Sequence, residues 1–356
     1  MHGRVMHQDH RHTPAPRGAL LIGAGGWGAS VARALAMSPR WRLAALADTD
    51  ARALAAAAAT HGIAPAGCFP DAATALREAD HDAVVIAAPN PARMPALLAA
   101  IGAGRPVLAE KPLVHTPQDL SRVARALERS RGPLMVAQNY RFDPAARALR
   151  RLVGSGDAGP LRRVDVRFGR DGRAFAGHAV ARMAGPAGLL MELGVHHLDL
   201  LRFLVGCEGR CGRAEAGTGA NGFAGWTSVR AELAFADGTR ARYTARYDAG
   251  RDETPWGGQW RLVFDTLEVV WYPCPPEDAP AVTFHPGPPA GWNAPPAAPL
   301  ASAQRTAMLL AALDEFADAL DAAREPECGF ADNARTLGLA FAISRAAGHP
   351  PDGNAP

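Results

Sequence analysis

Short apolar runs alternate with helical segments along the first part of the chain. Ala19–Ile22 is an apolar run that closes on glycines, Ala29–Met37 has helical spacing, Leu43–Ala47 is apolar again, and Ala51–Thr60 is an alanine-rich helix. The alternation continues with predicted strands at 83–88, 106–109 and 134–137 and predicted helices at 94–103 and 118–131. Strand and helix repeated in this order predict an α/β unit with a parallel, doubly wound sheet.

The pattern changes after Asn139. A helix at 144–153, a strand at 163–168 and a strongly apolar helix at 189–205 come first. Two strands then alternate polar and apolar residues around Asp237-Gly238, a dipeptide that suits the turn of an antiparallel hairpin. Ten prolines between Pro273 and Pro299 predict a long loop without regular structure, and two helices close the chain. The second part is therefore predicted to be α+β.

Length divides the chain into two predicted domains, because 356 residues exceed what one hydrophobic core usually supports. The predicted domains are residues 17–139 and 140–349. Residues 1–16, with four histidines and no apolar periodicity, and residues 350–356 are predicted to be tails.

Charge and cysteine content exclude several classes of partner. A formal net charge of +3 from 38 basic and 35 acidic residues is too balanced for nucleic-acid binding, so a small molecule is the expected partner. The five scattered cysteines lack the spacing of a zinc site, and we expect no metal. No membrane span or secretory signal is recognised, so the cytoplasm is the expected location.

A glycine-rich turn lies between the first predicted strand and helix. Residues 23–28 read Gly-Ala-Gly-Gly-Trp-Gly and fit the dinucleotide-binding pattern GxGxxG. Gly23 permits the tight turn, Gly25 lets the backbone approach a pyrophosphate, and Gly28 allows the helix to pack closely on the strand. The whole turn, with Gly26 and Trp27, is predicted to bind a cofactor.

Asp48 ends the second predicted strand, twenty residues after Gly28. An acidic residue at this place accepts hydrogen bonds from the adenosine ribose and repels a 2′-phosphate. NAD is therefore favoured over NADP, although Arg52, four residues on, leaves NADP open.

Lys111 follows another predicted strand, within Glu110-Lys111-Pro112, and it is the only lysine among the 38 basic residues. The carboxyl edge of an open parallel sheet is where ligands bind. Lysine differs from arginine in being compact and in shifting its pKa readily on burial, so we predict a chemical role for Lys111.

Glu192, His196 and Asp199 stand at i, i+4 and i+7 of the apolar helix and therefore share one face. A histidine between two carboxylates is a candidate acid or base, because such neighbours raise its pKa and orient its ring. His197 points about 100° away and is predicted to be structural.

These motifs together resemble the glucose-fructose oxidoreductase and inositol dehydrogenase (Gfo/Idh/MocA) family. The resemblance extends to Pro89-Asn90 and to the junction Asn139-Tyr140-Arg141. It implies a Rossmann domain followed by an α+β domain with an open, mainly antiparallel sheet, and hydride transfer between a nicotinamide and a sugar, cyclitol or related polyol. Such a sheet commonly packs against another subunit in this family, so we expect a homodimer or homotetramer.

The resemblance also implies roles for individual residues. Lys111 and His196 match the catalytic lysine and histidine, and Glu192 stands at the position of the usual aspartate and would orient His196. Cofactor contacts are expected from Pro89, Asn90 and Glu110, and substrate contacts from Asn139, Arg141 and Asp199.

Two departures from the family pattern and two alternative functions complete the picture. Glu192 is one methylene longer than the usual aspartate, and Arg93 stands where many members have histidine. The same scaffold also serves nicotinamide-nucleotide sensors without turnover and glycosidases that cycle a tightly held NAD. Lys111 and His196 argue against the sensor, because a pure binding protein needs no proton relay.

Overall fold

The computed structural model describes residues 15–172, 187–218, 225–273, 281–292, 295 and 301–348. The predicted tails therefore lie almost entirely outside the described residues. Two sheets organise the described chain, a parallel one of six strands and a mixed one of seven.

The first sheet is built by the alternation that the sequence predicts. Its strands are β1 (Arg17–Ile22), β2 (Trp41–Ala47), β3 (Cys68–Phe69), β4 (Ala83–Ile86), β5 (Val107–Ala109) and β6 (Leu134–Val136). The connecting helices are α1 (Trp27–Met37), α2 (Ala51–His61), α3 (Ala72–Glu78), α4 (Asn90–Gly102) and α5 (Pro117–Leu127). All pairs are parallel in the order β3-β2-β1-β4-β5-β6, which confirms the doubly wound prediction and is the strand order of a Rossmann domain.

Local sequence explains where several of these helices begin. The side chains of Asp50, Asp71 and Thr116 accept hydrogen bonds from the first-turn N–H groups of α2, α3 and α5. Such caps satisfy donors that a helix start leaves without partners.

The second sheet has the order β13-β12-β11-β7-β10-β9-β8, and only β7 and β10 pair in parallel. Its strands are β7 (Leu161–Gly169), β8 (Gly209–Thr218), β9 (Trp226–Phe235), β10 (Arg240–Arg246), β11 (Gln259–Phe264), β12 (Glu268–Trp271) and β13 (Val282–His285). The mainly antiparallel sheet implied by the family resemblance is thus confirmed.

One secondary-structure prediction is wrong. Strand β13 lies inside the proline-rich segment that was predicted to be an irregular loop. Its residues are a short proline-free run between Pro280 and Pro286, and they pair only with β12 at the sheet edge. An edge strand needs partners on one side alone, so prolines close to its ends are tolerated.

The remaining α-helices of the described residues are α6 (Pro144–Ser155), α7 (Val195–Val205), α8 (Ala301–Asp321) and α9 (Phe330–Ala346). The apolar helix predicted over 189–205 begins with a π-helical turn, Leu190–Gly194, before it continues as α7. Nearly every residue of α7 is buried, so its polar side chains lie inside the protein.

Helix α8 returns to the first sheet, although the sequence predicts it within the second domain. Trp41 of β2 stacks on Phe316 with ring centroids 5.5 Å apart, and its Nε1 donates to Leu313 O at 2.9 Å. Arg40 forms ion pairs with Asp318 and Asp321 of the same helix, each at 2.6 Å. The last part of the chain therefore ties the two predicted domains together. Among the described residues, no helix is long and apolar enough to span a bilayer.

Candidate active site

In the glycine-rich turn between β1 and α1, two glycines leave no room for a Cβ, and Gly26, with φ +50°, also has a backbone conformation that favours glycine. Gly23 has φ +93°, and a Cβ there would lie 2.5 Å from the backbone nitrogen of Ala88. A Cβ on Gly28 would lie 2.0 Å from the carbonyl oxygen of Gly23. At Gly25 and Gly26, by contrast, a Cβ would meet only Ala53 at 3.5 Å or nothing at all. The backbone of the turn is thus exposed where a pyrophosphate would approach it.

The start of α1 also fits an anionic group. The helix has no side-chain cap and no acidic residue in its first turn, so its first N–H groups lack a side-chain acceptor. Such a helix start favours phosphate binding. Trp27, the first residue of α1, donates from Nε1 to Glu110 Oε1 at 2.6 Å and so fastens the turn to the end of β5. Burial raises the pKa of Glu110.

Asp48 lies directly after β2 and faces the same turn. Its Oδ2 accepts hydrogen bonds from the backbone N–H of Ala24 at 2.7 Å and of Gly25 at 3.3 Å. The side chain is half-buried, so its carboxylate remains accessible to a ribose that would lie beside the turn.

Arg93 fastens together the two loops that follow β4 and β5. It is buried, and it donates from Nε to Ala88 O at 3.1 Å and from Nη1 to Pro112 O. Burial lowers its pKa. The departure from the family's usual histidine therefore supplies a structural link close to Lys111, since Pro112 is the next residue in the chain.

Lys111, Glu192 and Asn90 meet across the two domains. The ammonium of Lys111 donates to the backbone oxygen of Glu192 at 2.6 Å, and Asn90 Nδ2 donates to Glu192 Oε1 at 2.9 Å. Glu192 lies in the π-helical turn that precedes α7, and such turns often mark functional sites.

His196 lies at the start of α7 against the turn that follows β6. Its Nδ1 is 2.9 Å from Gln138 Oε1, and its ring stacks on Tyr140 with centroids 4.6 Å apart and 17° between the planes. Burial, and after it the charges of Lys111 and His197, hold the pKa of His196 well below its usual range.

Both findings on His196 differ from the sequence prediction. Glu192 was expected to orient the ring and to raise its pKa, but the Glu192 carboxylate is bonded to Asn90 and the ring is bonded to a neutral amide. Burial disfavours the imidazolium, and the positive charge of Lys111 disfavours it further.

Asp199 and Arg141 were expected to bind substrate, but the structure pairs them with each other. Arg141 donates to both carboxylate oxygens of Asp199, from Nε at 2.6 Å and from Nη2 at 2.7 Å. Thr336 Oγ1 adds a third hydrogen bond at 3.0 Å, and Asp199 is only 1 % exposed. A carboxylate with both oxygens engaged and buried has little capacity left for a substrate hydroxyl. Asn139 is buried in the same turn as Tyr140.

Sequence reasoning missed Gln138 and His115. Gln138 lies two residues after the end of β6, so its place at the carboxyl edge of the sheet was a usable signal, as it was for Lys111 after β5. His115 lies in the loop after Lys111, where burial lowers its pKa and where Glu192 and Lys111 are near enough to act on it electrostatically. Its Nε2 is buried without a hydrogen-bond partner in the described structure.

Known proteins match the chain in both domains. Residues 17–138 match the model of the oxidoreductase family with an NAD-binding Rossmann fold, and residues 146–267 match that of the GFO/IDH/MocA C-terminal domain. The chain is 36% identical over 197 residues to inositol 2-dehydrogenase 2 of Saccharopolyspora erythraea, which is 53% of each protein. It is 34% identical over 167 residues to D-apiose dehydrogenase of Paraburkholderia graminis, which is 46% of this chain and 43% of that enzyme. These alignments span only about half the length of the relatives.

Solved structures share the whole fold. An oxidoreductase from Agrobacterium radiobacter, crystallised with NAD+, L-tartaric acid and magnesium, superposes with a TM-score of 0.77 at 21% identity. Myo-inositol 2-dehydrogenase from Lactobacillus plantarum superposes with a TM-score of 0.77 at 18% identity. Each match covers 93% of this chain and, respectively, 96% and 97% of the other. The two family models, matched in order along the sequence, together with the fold establish that the chain belongs to the Gfo/Idh/MocA oxidoreductase family.

Proposed function

We propose that the protein transfers a hydride between a nicotinamide and a hydroxyl-bearing carbon of a sugar, cyclitol or related polyol. One observation carries the proposal: Lys111 and His196, from different domains, converge at the carboxyl edge of the first sheet, where the glycine-rich turn also lies. Their proximity is evident from the bond between Lys111 and Glu192 O and from the effect of Lys111 on the pKa of His196.

The cofactor would be held by the turn at residues 23–28 and the start of α1, with Asp48 at the adenosine ribose. A bound nicotinamide supplies the hydride chemistry, and the protein supplies binding and orientation. The carboxylate of Asp48 favours NAD, because a 2′-phosphate beside it would be repelled. Glu110 and Trp27 would keep the turn in place through their hydrogen bond.

His196 would act as the general base in the oxidative direction. With Nδ1 donating to Gln138, the lone pair of Nε2 is available, and no bond to Nε2 is found among the described residues. The low pKa keeps this lone pair free at neutral pH. Lys111 would donate a hydrogen bond to the substrate oxygen and stabilise negative charge that develops there.

The substrate class rests on the relatives and on the chemistry of the pair. Inositol and apiose dehydrogenases are among the proteins that match part of the chain. The direct test is a panel of cyclitols, polyols, aldoses and their keto forms, assayed with NAD and NADP by the absorbance of reduced nicotinamide. Turnover on any member supports the proposal. NADH binding without turnover would favour a sensor, and hydrolysis by protein with copurified NAD would favour a glycosidase.

We also propose a homodimer or homotetramer that assembles through the second sheet. The outward face of this sheet carries alternating charges in register across five strands, namely Arg213, Glu232, Arg242, Asp165 and Arg261. A contact through such a face would weaken with salt, because exposed charges are screened. Sedimentation at micromolar concentration in low and high salt tests this, and a monomer in low salt would contradict it.

A further inference from the structure

Gln138 is a deeply buried polar residue that contacts the proposed base, His196. It lies two residues after the end of β6 and is 1 % exposed. Its backbone N–H donates a hydrogen bond to Val136 O at 2.7 Å, and this bond fixes the backbone from which the side chain projects. Of its two amide atoms, Oε1 contacts His196, while Nε2 is buried without a partner in the described part of the chain.

The unpaired nitrogen indicates that Gln138 is more than a packing residue. An unsatisfied buried polar group destabilises the folded protein, and a leucine or methionine of similar size would avoid that loss. The remaining function of the amide is its 2.9 Å bond to His196 Nδ1. Tyr140 holds the plane of the same ring by stacking, so the imidazole is fixed in both position and rotation.

We infer that Gln138 is the positioning residue of the site and that it holds His196 as the neutral tautomer with the proton on Nδ1. An amide oxygen accepts only from a protonated nitrogen, so Nδ1 must carry the proton and Nε2 keeps its lone pair. The inference rests on the proposed function only for what this lone pair does in catalysis.

The choice of an amide has a chemical consequence. A carboxylate in this place would stabilise the imidazolium, whereas a neutral amide orients the ring without adding negative charge. The other charged or titratable groups near the ring are Lys111 from the loop after β5, His197 from α7 and Tyr140, while the Glu192 carboxylate is engaged by Asn90. Gln138 thus lets the buried histidine remain a free base beside Lys111.

The test is NMR of the full chain labelled with 15N-histidine, without and with NADH, with His196→Asn used to assign the resonance among the 12 histidines. In the wild type, the shifts of His196 should report a neutral ring protonated at Nδ1 at pH 7. Gln138→Glu should raise the His196 pKa by about 1–3 units, as expected for a carboxylate neighbour. In Gln138→Met the His196 ring should no longer be held protonated at Nδ1, so its 15N shifts should report a mixture of both neutral tautomers. The affinity for NADH should stay nearly unchanged.

Gln304→Met is the matched control, because Gln304 is also buried but bonds to Asp143 away from His196. It should leave the His196 resonance as in the wild type. An unchanged His196 pKa in Gln138→Glu, or a wild-type tautomer in Gln138→Met, would overturn the inference. Where turnover is found, the acid limb of the kcat/KM profile should move up in pH with Gln138→Glu. If no substrate is turned over, the proposed function fails, whereas the NMR result still decides the role of Gln138.

Discussion

Two polar clusters grow from the same helix, and they differ in how completely their groups are paired. At the start of α7, His196 has one ring nitrogen bonded to Gln138 and the other without a partner among the described residues. Further along α7, Asp199 is saturated by Arg141 and Thr336, and Arg202 bonds to Thr336, Asp332 and Glu208.

This difference in pairing distinguishes a group suited to catalysis from groups that stabilise the fold. A group that is to exchange a proton needs an atom that the protein leaves unbonded, whereas a buried charge that holds the fold needs every atom bonded. Residues of one sequence motif therefore serve different purposes, and the partners of each side chain, more than the motif, indicate which.

The largest expected effect is on turnover, when the site around His196, Gln138 and Lys111 loses its proposed base. We expect His196→Ala to lower kcat by about 10²–10⁴, the usual contribution of general acid–base catalysis, with NADH affinity nearly unchanged. The neighbouring His197 is the control, because its ring is fully buried among Tyr243, Phe168 and Trp260. His197→Ala should lower the thermal midpoint instead. Equal loss of NADH binding and turnover in His196→Ala would mark His196 as structural.

A second test of the site around His196 is to modify or replace Lys111. As the only lysine, it should be the one side chain that an amine-directed acylating reagent modifies, and its acylation should abolish turnover. Acylation removes the ammonium and adds bulk where reacting atoms must approach to roughly 3–3.5 Å. Lys111→Arg should also fail, because the guanidinium is wider than the ammonium. Peptide mapping after modification, with activity measured in parallel, checks both; full activity with Lys111 acylated would refute its role.

Substitutions among Asp199, Arg141 and Thr336 should change the free energy of unfolding. Asp199→Asn removes the bidentate counter-charge of the buried Arg141 guanidinium, which keeps only its ion pair with Asp332 at 2.6 Å. We expect a loss of about 1.5–3 kcal/mol in the free energy of unfolding. Denaturant titration measures this loss. If Asp199 bound substrate instead, as the family resemblance implies, KM would rise while stability stayed the same.

An exposed pair of the same geometry provides the control for Asp199. Arg162 donates to both oxygens of Asp265 at 2.6 and 2.7 Å, but these side chains are 61% and 43% exposed. Asp265→Asn should change stability little, because water and salt screen such pairs. A comparable loss in both variants would show that burial is not the cause.

The sequence predicts five of the six strands of the first sheet because each shows its own apolar pattern within a few residues. It misses β3 (Cys68–Phe69) and α3 (Ala72–Glu78), which are too short to show a clear periodicity. It also places Gly23, Asp48 and Lys111 after parallel strands, at the carboxyl edge of the sheet, as the structure confirms. What else it misses depends on contacts between distant residues. The stacking of Trp41 on Phe316, which brings α8 to the first sheet, joins two segments that have no shared local pattern.

The helical spacing of Glu192 and His196 is correct as far as it goes, but spacing does not determine hydrogen-bond partners. Asn90 lies 102 residues from Glu192 in sequence and donates a hydrogen bond to its carboxylate. Gln138 lies 58 residues from His196 and is hydrogen-bonded to its ring nitrogen Nδ1. Only the assembled domains bring these competitors together, so the orienting residue could not be found from the motif alone.

The smallest expected effect concerns the choice of cofactor. We expect Asp48→Ala to change the ratio of kcat/KM for NAD to that for NADP by about tenfold, because a charge-assisted hydrogen bond contributes about 1.5–3 kcal/mol. NAD should lose its ribose contact, and the repulsion that opposes a 2′-phosphate should disappear. Asp71 is a suitable control, since its carboxylate also follows a strand of the sheet but caps α3 through Thr74. Asp71→Ala should weaken the helix and leave the cofactor ratio unchanged. An unchanged ratio in Asp48→Ala would remove Asp48 from the cofactor site, and its bonds to Ala24 and Gly25 would then be purely structural.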